Sequence, residues 1–426
     1  MPLRLAALLL LATTATWTAG VTAAAAGRVF NVSDFGAVAD GRTDDSEAFL
    51  RAWTEACATP GRPAVVVPRG DYLLHPLVFR GPCRGYVEVH VGGVLRAPPG
   101  LAAFRGCREW VHFSSIDGLL VTGGGTFDGR GATAWPLNEC PQKRDCRLLP
   151  TVSSATCATI LLHSDIIVVQ RRHQSIKLGL VRNATITGVT SLDSKFFHVA
   201  VVGSQDVRIH GVSIRAPRSS PNTDGVHIQG SSNVRVTDSA VATGDDCVSV
   251  GPGSSDVLVS GVACGPGHGI SVGSLGRYPG EGDVRRLRVA NCTVAGTSNG
   301  VRIKTWRGGS WPPTAVAGLV FEDIVMRKVR NPIIIDQEYC PYPSCRESEQ
   351  RPSAVRISDV KFRNIRGESA TKVAVKLSCS EASPCRELEL RDIDLRYVKR
   401  GVATQSRCAH VAGGVVGGTL VPPSCI

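Results

Sequence analysis

NATITGV (Asn183–Val189), DVRIHGV (Asp206–Val212), NVRVTDS (Asn233–Ser239) and DVLVSGV (Asp256–Val262) are versions of one phrase: a polar residue, alternating apolar positions, then Gly or Asp. Their starts lie 23, 27 and 23 residues apart. Looser copies follow in RLRVANC from Arg286, GLVFEDI from Gly318, AVRISDV from Ala354 and ELELRDI from Glu387. Alternation with period two marks a strand with one buried face. A recurrence every twenty-odd residues marks a solenoid. The expected fold is therefore all-β, a single-stranded parallel β-helix. A β-sandwich would need hairpins with short turns at closer spacing, and helical periodicity is largely absent after residue 60.

A second strand in each repeat carries the unusual residues. VHI (Val226–Ile228), VSV (Val248–Val250) and ISV (Ile270–Val272) begin 22 residues apart, and VRI (Val301–Ile303) follows after 31, the longer step holding the loop-like RYPGEGD. Stacked as parallel neighbours about 4.8 Å apart, these strands would place Asp224, Asp246 and His268, each two residues before its strand, in one column. Asp245 sits beside Asp246. Arg302 and Lys304 share the outward face of their strand by the two-residue period. Three carboxylates, a histidine, an arginine and a lysine are thus expected on one outer face.

Three readings compete for that cluster. NTDG and GDD are ordinary turn sequences. Carboxylates can hold a divalent cation, although Arg302 and Lys304 would oppose one. Glycoside hydrolysis needs one protonated carboxyl and at least one carboxylate, and crowding of like charges raises one pKa enough to supply both. The basic pair would then bind the carboxylate of an acidic sugar.

Composition narrows the setting. The chain has 426 residues, with 43% hydrophobic, 20% charged and 5% aromatic, which excludes a disordered chain, a coiled coil and a collagen. Fifteen cysteines point to an oxidising compartment. Lys plus Arg, 48, exceeds Asp plus Glu, 36, so a soluble polyanion is a natural partner. The opening MPLRLAALLLLATTATWTAGVTAAAAGRVF reads as a secretory signal, with Arg4, an apolar run and a small-residue cleavage site at Ala23–Ala26. Residues 1–26 are expected to leave, and 27–426 to form one secreted, extracellular domain with no membrane or nucleic-acid partner. Asn31, Asn183 and Asn291 lie in glycosylation sequons.

SPNTDG (Ser220–Gly225), GDDC (Gly244–Cys247), CGPGHGISVGSLG (Cys264–Gly276) and VRIKTW (Val301–Trp306) resemble, in order and spacing, the four motifs of plant polygalacturonases, glycoside hydrolase family 28. The resemblance runs from FNVSDFGAVADGRTDDSEAFLRAW (Phe30–Trp53) through NPIIIDQEYC (Asn331–Cys340) to Cys408 and Cys425. It implies a right-handed β-helix that hydrolyses α-1,4-galacturonosyl bonds of de-esterified pectin with inversion, as a cell-wall monomer without metal or cofactor. By motif, Asp245 resembles the general acid, and Asp224 and Asp246 the carboxylates that position and activate water. His268 resembles the histidine that keeps the acid protonated. Arg302 and Lys304 resemble the binders of the substrate carboxylate, and Asn222 and Tyr339 the residues that shape the subsite. An aromatic at 339 suits packing as well. Inversion implies a gap of about 6.5–9.5 Å between acid and base, more than that between column neighbours. Asp128–Pro150 and TSLDSKFFHV (Thr190–Val199) look closest to exo-acting, pollen-type members; the sequence leaves endo action open. The implied disulfides are Cys57–Cys83, Cys140–Cys146, Cys247–Cys264, Cys340–Cys345, Cys379–Cys385 and Cys408–Cys425.

One stretch departs from the family. VSSATCATILLHSDIIVVQRRHQ (Val152–Gln174) stands between Thr151 and Ser175, where family members run on directly. It reads as a retained intron or a gene-model error, since Val codons begin with GT, Gln can be CAG, and 23 codons keep the frame. Removing its Cys157 would leave an even cysteine count. A related rhamnogalacturonan or xylogalacturonan hydrolase, and a catalytically impaired pectin-binding wall protein, are the competing functions. A pectate lyase would need calcium and a basic catalyst.

Overall fold

The computed structural model describes residues 27–104, 109–138, 174–308, 313–342 and 351–426. The leader 1–26, residues 152–173 of the interruption, the Cys140–Cys146 pair and Cys345 lie outside them. Gln174, the last residue of the interruption, opens the strand Gln174–Gly179.

Both punctuation marks of the repeated phrase are left-handed residues. The leading Asn183, Asp206, Asn233 and Asp256 have φ of 50°, 57°, 51° and 57°, and the closing Gly188, Gly211, Asp238 and Gly261 have 67°, 60°, 49° and 67°. Only Gly, then Asn and Asp, adopt this conformation at low cost. The first mark kinks the start of the strands Arg182–Thr187, Gln205–His210, Ser232–Thr237 and Ser255–Ser260. The second turns each into a shorter strand, such as Thr190–Leu192, Ser213–Arg215 and Ala240–Ala242. The chain thereby bends at a fixed place in every coil, and winding follows.

The coils stack into a parallel β-helix, as expected, with one 22-stranded and one 11-stranded sheet among the described residues. In the 11-stranded sheet Val226, Val248, Ile270, Val301, Ile333 and Val375 occupy successive places in register. Each is at most 1% exposed. Burying a side chain of this size is worth about 1.5–3 kcal/mol, and repetition along the axis makes one continuous core. A helix, Ser46–Ala58, packs Phe49, Ala52, Trp53 and Ala56 into the start of that core. The Trp53 ring lies 5.0 Å from that of Phe79. The helix covers an end that would otherwise expose apolar side chains and open strand edges.

Cys57–Cys83, Cys247–Cys264, Cys379–Cys385 and Cys408–Cys425 are bonded as the resemblance implied, and Cys340 is disulfide-bonded too. Cys292 is a free, buried thiol. An even cysteine count is therefore no requirement of this fold, and parity gives no reason to remove Cys157. Among the described residues no helix is long and apolar enough to cross a membrane.

Candidate active site

The site is assembled by three consecutive strands of the 11-stranded sheet, Val226–Gln229, Asp246–Val250 and Gly269–Leu275, and the next one, Asn299–Trp306. NTDG is indeed a turn, with Asn222 left-handed at φ 53° and the Ser220 and Thr223 hydroxyls 2.6 Å apart across it. The turn and the site are one object, because the turn's exit aims Asp224 at the next coil. Gly244 is needed where coils meet: a Cβ there would stand 1.9 Å from the Ser220 carbonyl oxygen.

His268 is not in the expected column. Val248 pairs with Ile270, but the register shifts between Asp246 and Val248, and Asp246 pairs with Gly269. The slip arises in GPGHG, whose Gly265, Gly267 and Gly269 all have positive φ. It sets His268 beside Asp245 instead: its backbone N–H donates to the Asp245 carbonyl at 2.7 Å, and Nδ1 lies 2.9 Å from Asp245 Oδ1. The imidazole is still 42% exposed on its side chain, so this pair forms the rim of the site.

Three adjacent carboxyls receive three different environments. Asp246 is fully buried, and its oxygens accept from Arg302 Nη2 at 2.9 Å, Ser271 Oγ at 2.7 Å and Lys304 Nζ at 2.8 Å. Burial alone would raise its pKa, but the two cations hold it well below the usual carboxylate range. Among the described residues the Asp224 carboxyl accepts only from the Ser249 hydroxyl, 2.7 Å from Oδ2. Burial, then the charges of Asp245 and Asp246, push it up to about 8. At Asp245 burial also raises the pKa, and the adjacent His268 outweighs it, leaving the carboxyl lowered. Burial works against the imidazolium of His268, and Asp245 reverses that, leaving the histidine raised above its ordinary 6.5. The cluster thus carries one proton on Asp224 and one on His268, hydrogen-bonded to an ionised Asp245.

All the expected residues are brought together. Asn222 Nδ2 reaches Asp245 Oδ2 at 3.5 Å. Arg302 and Lys304 point outward together but are engaged by Asp246, and both are largely buried. Tyr339 lies opposite Trp306 in register, its ring edge-on to the indole at 5.2 Å; Lys304 Nζ sits 5.4 Å from its centroid. It packs and faces the site at once. Sequence reasoning missed Ser249, Ser271 and His227. Ser249 lies 2.8 Å from His227 Nδ1, and Ser271 also accepts from Arg302 Nε at 3.0 Å. A signal was present: these serines are the middle residues of VSV and ISV, the outward positions of buried strands.

Ligand atoms of Asp245, Asp246 and His268 fall within 4.8 Å of one another, a spacing that suits a cation. Both Asp246 oxygens are already bound by cations and His268 Nδ1 by Asp245, so the group fits internal ion pairing better than a metal.

The profile of glycosyl hydrolases family 28 matches residues 57–166 and 163–417. An exopolygalacturonase of Platanus acerifolia is 42% identical over 386 residues, covering 90% of this chain and 94% of its own. A polygalacturonase of Brassica napus is 41% identical over 396 residues, covering 93% and 92%. Among solved structures, an endo-xylogalacturonan hydrolase from Aspergillus tubingensis superposes with a TM-score of 0.74 at 21% identity, covering 92% of this chain and 99% of that one. At that identity the likeness speaks for the fold.

Proposed function

The chain belongs to glycosyl hydrolases family 28, and from that premise we propose that it is a secreted hydrolase of the α-1,4-galacturonosyl bonds of de-esterified pectin, acting from a chain end with inversion. The observation that carries this reading is the joining of one protonated carboxyl, Asp224, and a carboxyl paired with a proton-holding histidine, Asp245 with His268, to one ionised carboxyl that is bound by Arg302 and Lys304. Hydrolysis with inversion needs a proton for the leaving oxygen and a base for water on the opposite face of the sugar. Asp245 takes the first role. His268 stores the proton next to it, and as the acidic sugar excludes water and adds negative charge, Asp245 becomes the better home for that proton. Asp245 then donates to the glycosidic oxygen as the bond to the anomeric carbon breaks.

Asp246 takes the second role, its ligand atom within 4.8 Å of that of Asp245, a shorter spacing than the about 6.5–9.5 Å usual between acid and base in inverting enzymes. In the free protein Arg302 and Lys304 keep its basicity low. The carboxylate of a bound galacturonate competes for the same two cations, and Asp246 regains the affinity needed to take a proton from water. Asp224, beside it on the previous coil, positions that water. The relatives named above as polygalacturonases support the substrate class, and the exopolygalacturonase among them supports end-wise action.

Incubation with polygalacturonate in the presence of a chelator tests the reading. New reducing ends without an unsaturated, ultraviolet-absorbing product are expected. Unsaturated products would mean elimination, and no cleavage at all would leave a pectin-binding protein. Asp245→Asn is expected to abolish turnover and keep polymer binding; retained turnover would overturn the acid assignment.

A further inference from the structure

Lys195 is 3% exposed and, among the described residues, meets no carboxylate at hydrogen-bonding distance. Its ammonium donates instead to three carbonyls, those of Gly129 at 2.6 Å, Pro98 at 3.0 Å and Arg130 at 3.5 Å. Burial pushes this lysine down to about 8, a cost that the hydrolytic chemistry gives no reason to carry. Two of these carbonyls, those of Gly129 and Arg130, open one limb of the molecule, and the third, that of Pro98, ties the same ammonium to the turn after the strand Val94–Arg96.

That limb is Gly129–Asn138. Gly129 N–H donates to the Leu192 carbonyl at 2.8 Å, Gly131 N–H to that of Asp193 at 2.7 Å, and Trp135 Nε1 to that of Ser194 at 3.0 Å. Backbone lies on backbone here: a Cβ on Gly131 would stand 2.5 Å from the Ser194 carbonyl oxygen. The limb is therefore latched to the turn of the coil that precedes Asp224, and its end reaches the site. Asn138 Nδ2 donates to Asn222 Oδ1 at 3.3 Å, and Asn222 faces Asp245. On the opposite side the outward column runs from Arg302 through the apolar Ile334 to Lys376 and Arg407, so that Lys376 stands two steps of about 4.8 Å from Arg302 and Arg407 one step further. One side of the catalytic coil meets a wall, and the other offers charge to an acidic tail.

We propose that Lys195 is the positioning residue that holds this limb as a wall beside Asn222, and that the wall confines cleavage to the end of the polymer. The proposal rests on the reading of the protein as an end-acting galacturonan hydrolase. A chain threading the whole cleft would have to pass Asn138, and a latched limb denies that passage.

The test compares the full-length protein with Lys195→Met, which keeps the apolar stem and removes the donors, and Gly131→Ala, which forces the limb off its turn without changing charge. Viscosity loss of polygalacturonate per new reducing end is measured with product sizing. This ratio does not depend on the fraction of active molecules, so partial misfolding leaves it unmoved. The wild type is expected to release monomer with little viscosity loss; both variants are expected to release oligomers, with the ratio several-fold higher. Monomer release at the wild-type ratio in both variants would overturn the proposal and make Lys195 merely structural. A ladder of oligomers from the wild type itself would overturn the end-acting reading before the variants are considered.

Discussion

Asp224, Asp245 and Asp246 are chemically identical side chains, and their first neighbours give them different proton affinities. The cations at Asp246, the histidine at Asp245 and the lone hydroxyl at Asp224 account for the ordering. Two predictions belong to this scale. The native Asp224 carboxyl holds its proton up to about 8, against 3.8 for an unperturbed Asp. The unfolded chain gives that proton up first, so Asp224 costs stability progressively as pH climbs from about 4 toward about 8. Asp224→Asn, a neutral isostere, is expected to lose activity yet melt higher than wild type at pH 8, with the two curves converging near pH 4; thermal unfolding across that range checks it. For His268 the sign is opposite. Its pKa is raised by Asp245, so the ion pair is intact below the ordinary 6.5 and is lost as pH rises through the raised value. Turnover is expected to fall on that alkaline side, and in His268→Ala the alkaline limb is expected to move, as a kcat–pH profile would reveal.

At the scale of the element, strands are set by alternation and their ends by residues that tolerate a left-handed backbone. The repeated phrase was therefore legible from Asn183 onward. The register slip at Gly269 was not, because it depends on how closely the GPGHG turn approaches Asp245 and Asn299 across coils. A Cβ on Gly267 would stand 2.6 Å from the Asp245 carbonyl oxygen, so Gly267→Ala is expected to separate His268 from Asp245 and reduce kcat at least tenfold, while melting changes less. The Cys247–Cys264 bridge joins the strand of Asp246 to the short strand Ala263–Cys264 on the same coil. Closing a loop of this size is worth ~3 kcal/mol. Replacing both cysteines with serine is expected to lower stability by about that much in denaturant unfolding and to weaken activity through the loosened Asp246 strand.

Across the whole molecule, stacking turns sequence distance into proximity: Asp246 and Lys304 lie 58 positions apart and touch at 2.8 Å. The excess of basic residues, 48 against 36, suits a protein that must approach a polyanion. Salt screens such attraction over about 8–10 Å at physiological strength. KM for long polygalacturonate is therefore expected to rise with added salt more steeply than KM for a dimer, which spans fewer of the column cations Lys376 and Arg407; equal slopes would mean that only the Arg302–Lys304 pair binds substrate charge.

The sequence by itself determined the β-helix, the coil positions that bend and the gathering of Asp224, Asp245, Asp246, His268, Arg302 and Lys304 on one face, and its resemblance to a family implied the four disulfides found among the described residues. The first three follow from local rules: period-two burial, left-handed tolerance of Gly, Asn and Asp, and motif spacing. Only the tertiary structure decided which carboxyl keeps a proton, that His268 serves Asp245 and does not stack on Asp246, that Ser249 and Ser271 orient the acids, and that Lys195 latches a limb beside Asn222. The reason is physical. Proton affinity and hydrogen bonding depend on burial and on distances of a few ångströms between coils, and those distances exist only once the chain has wound.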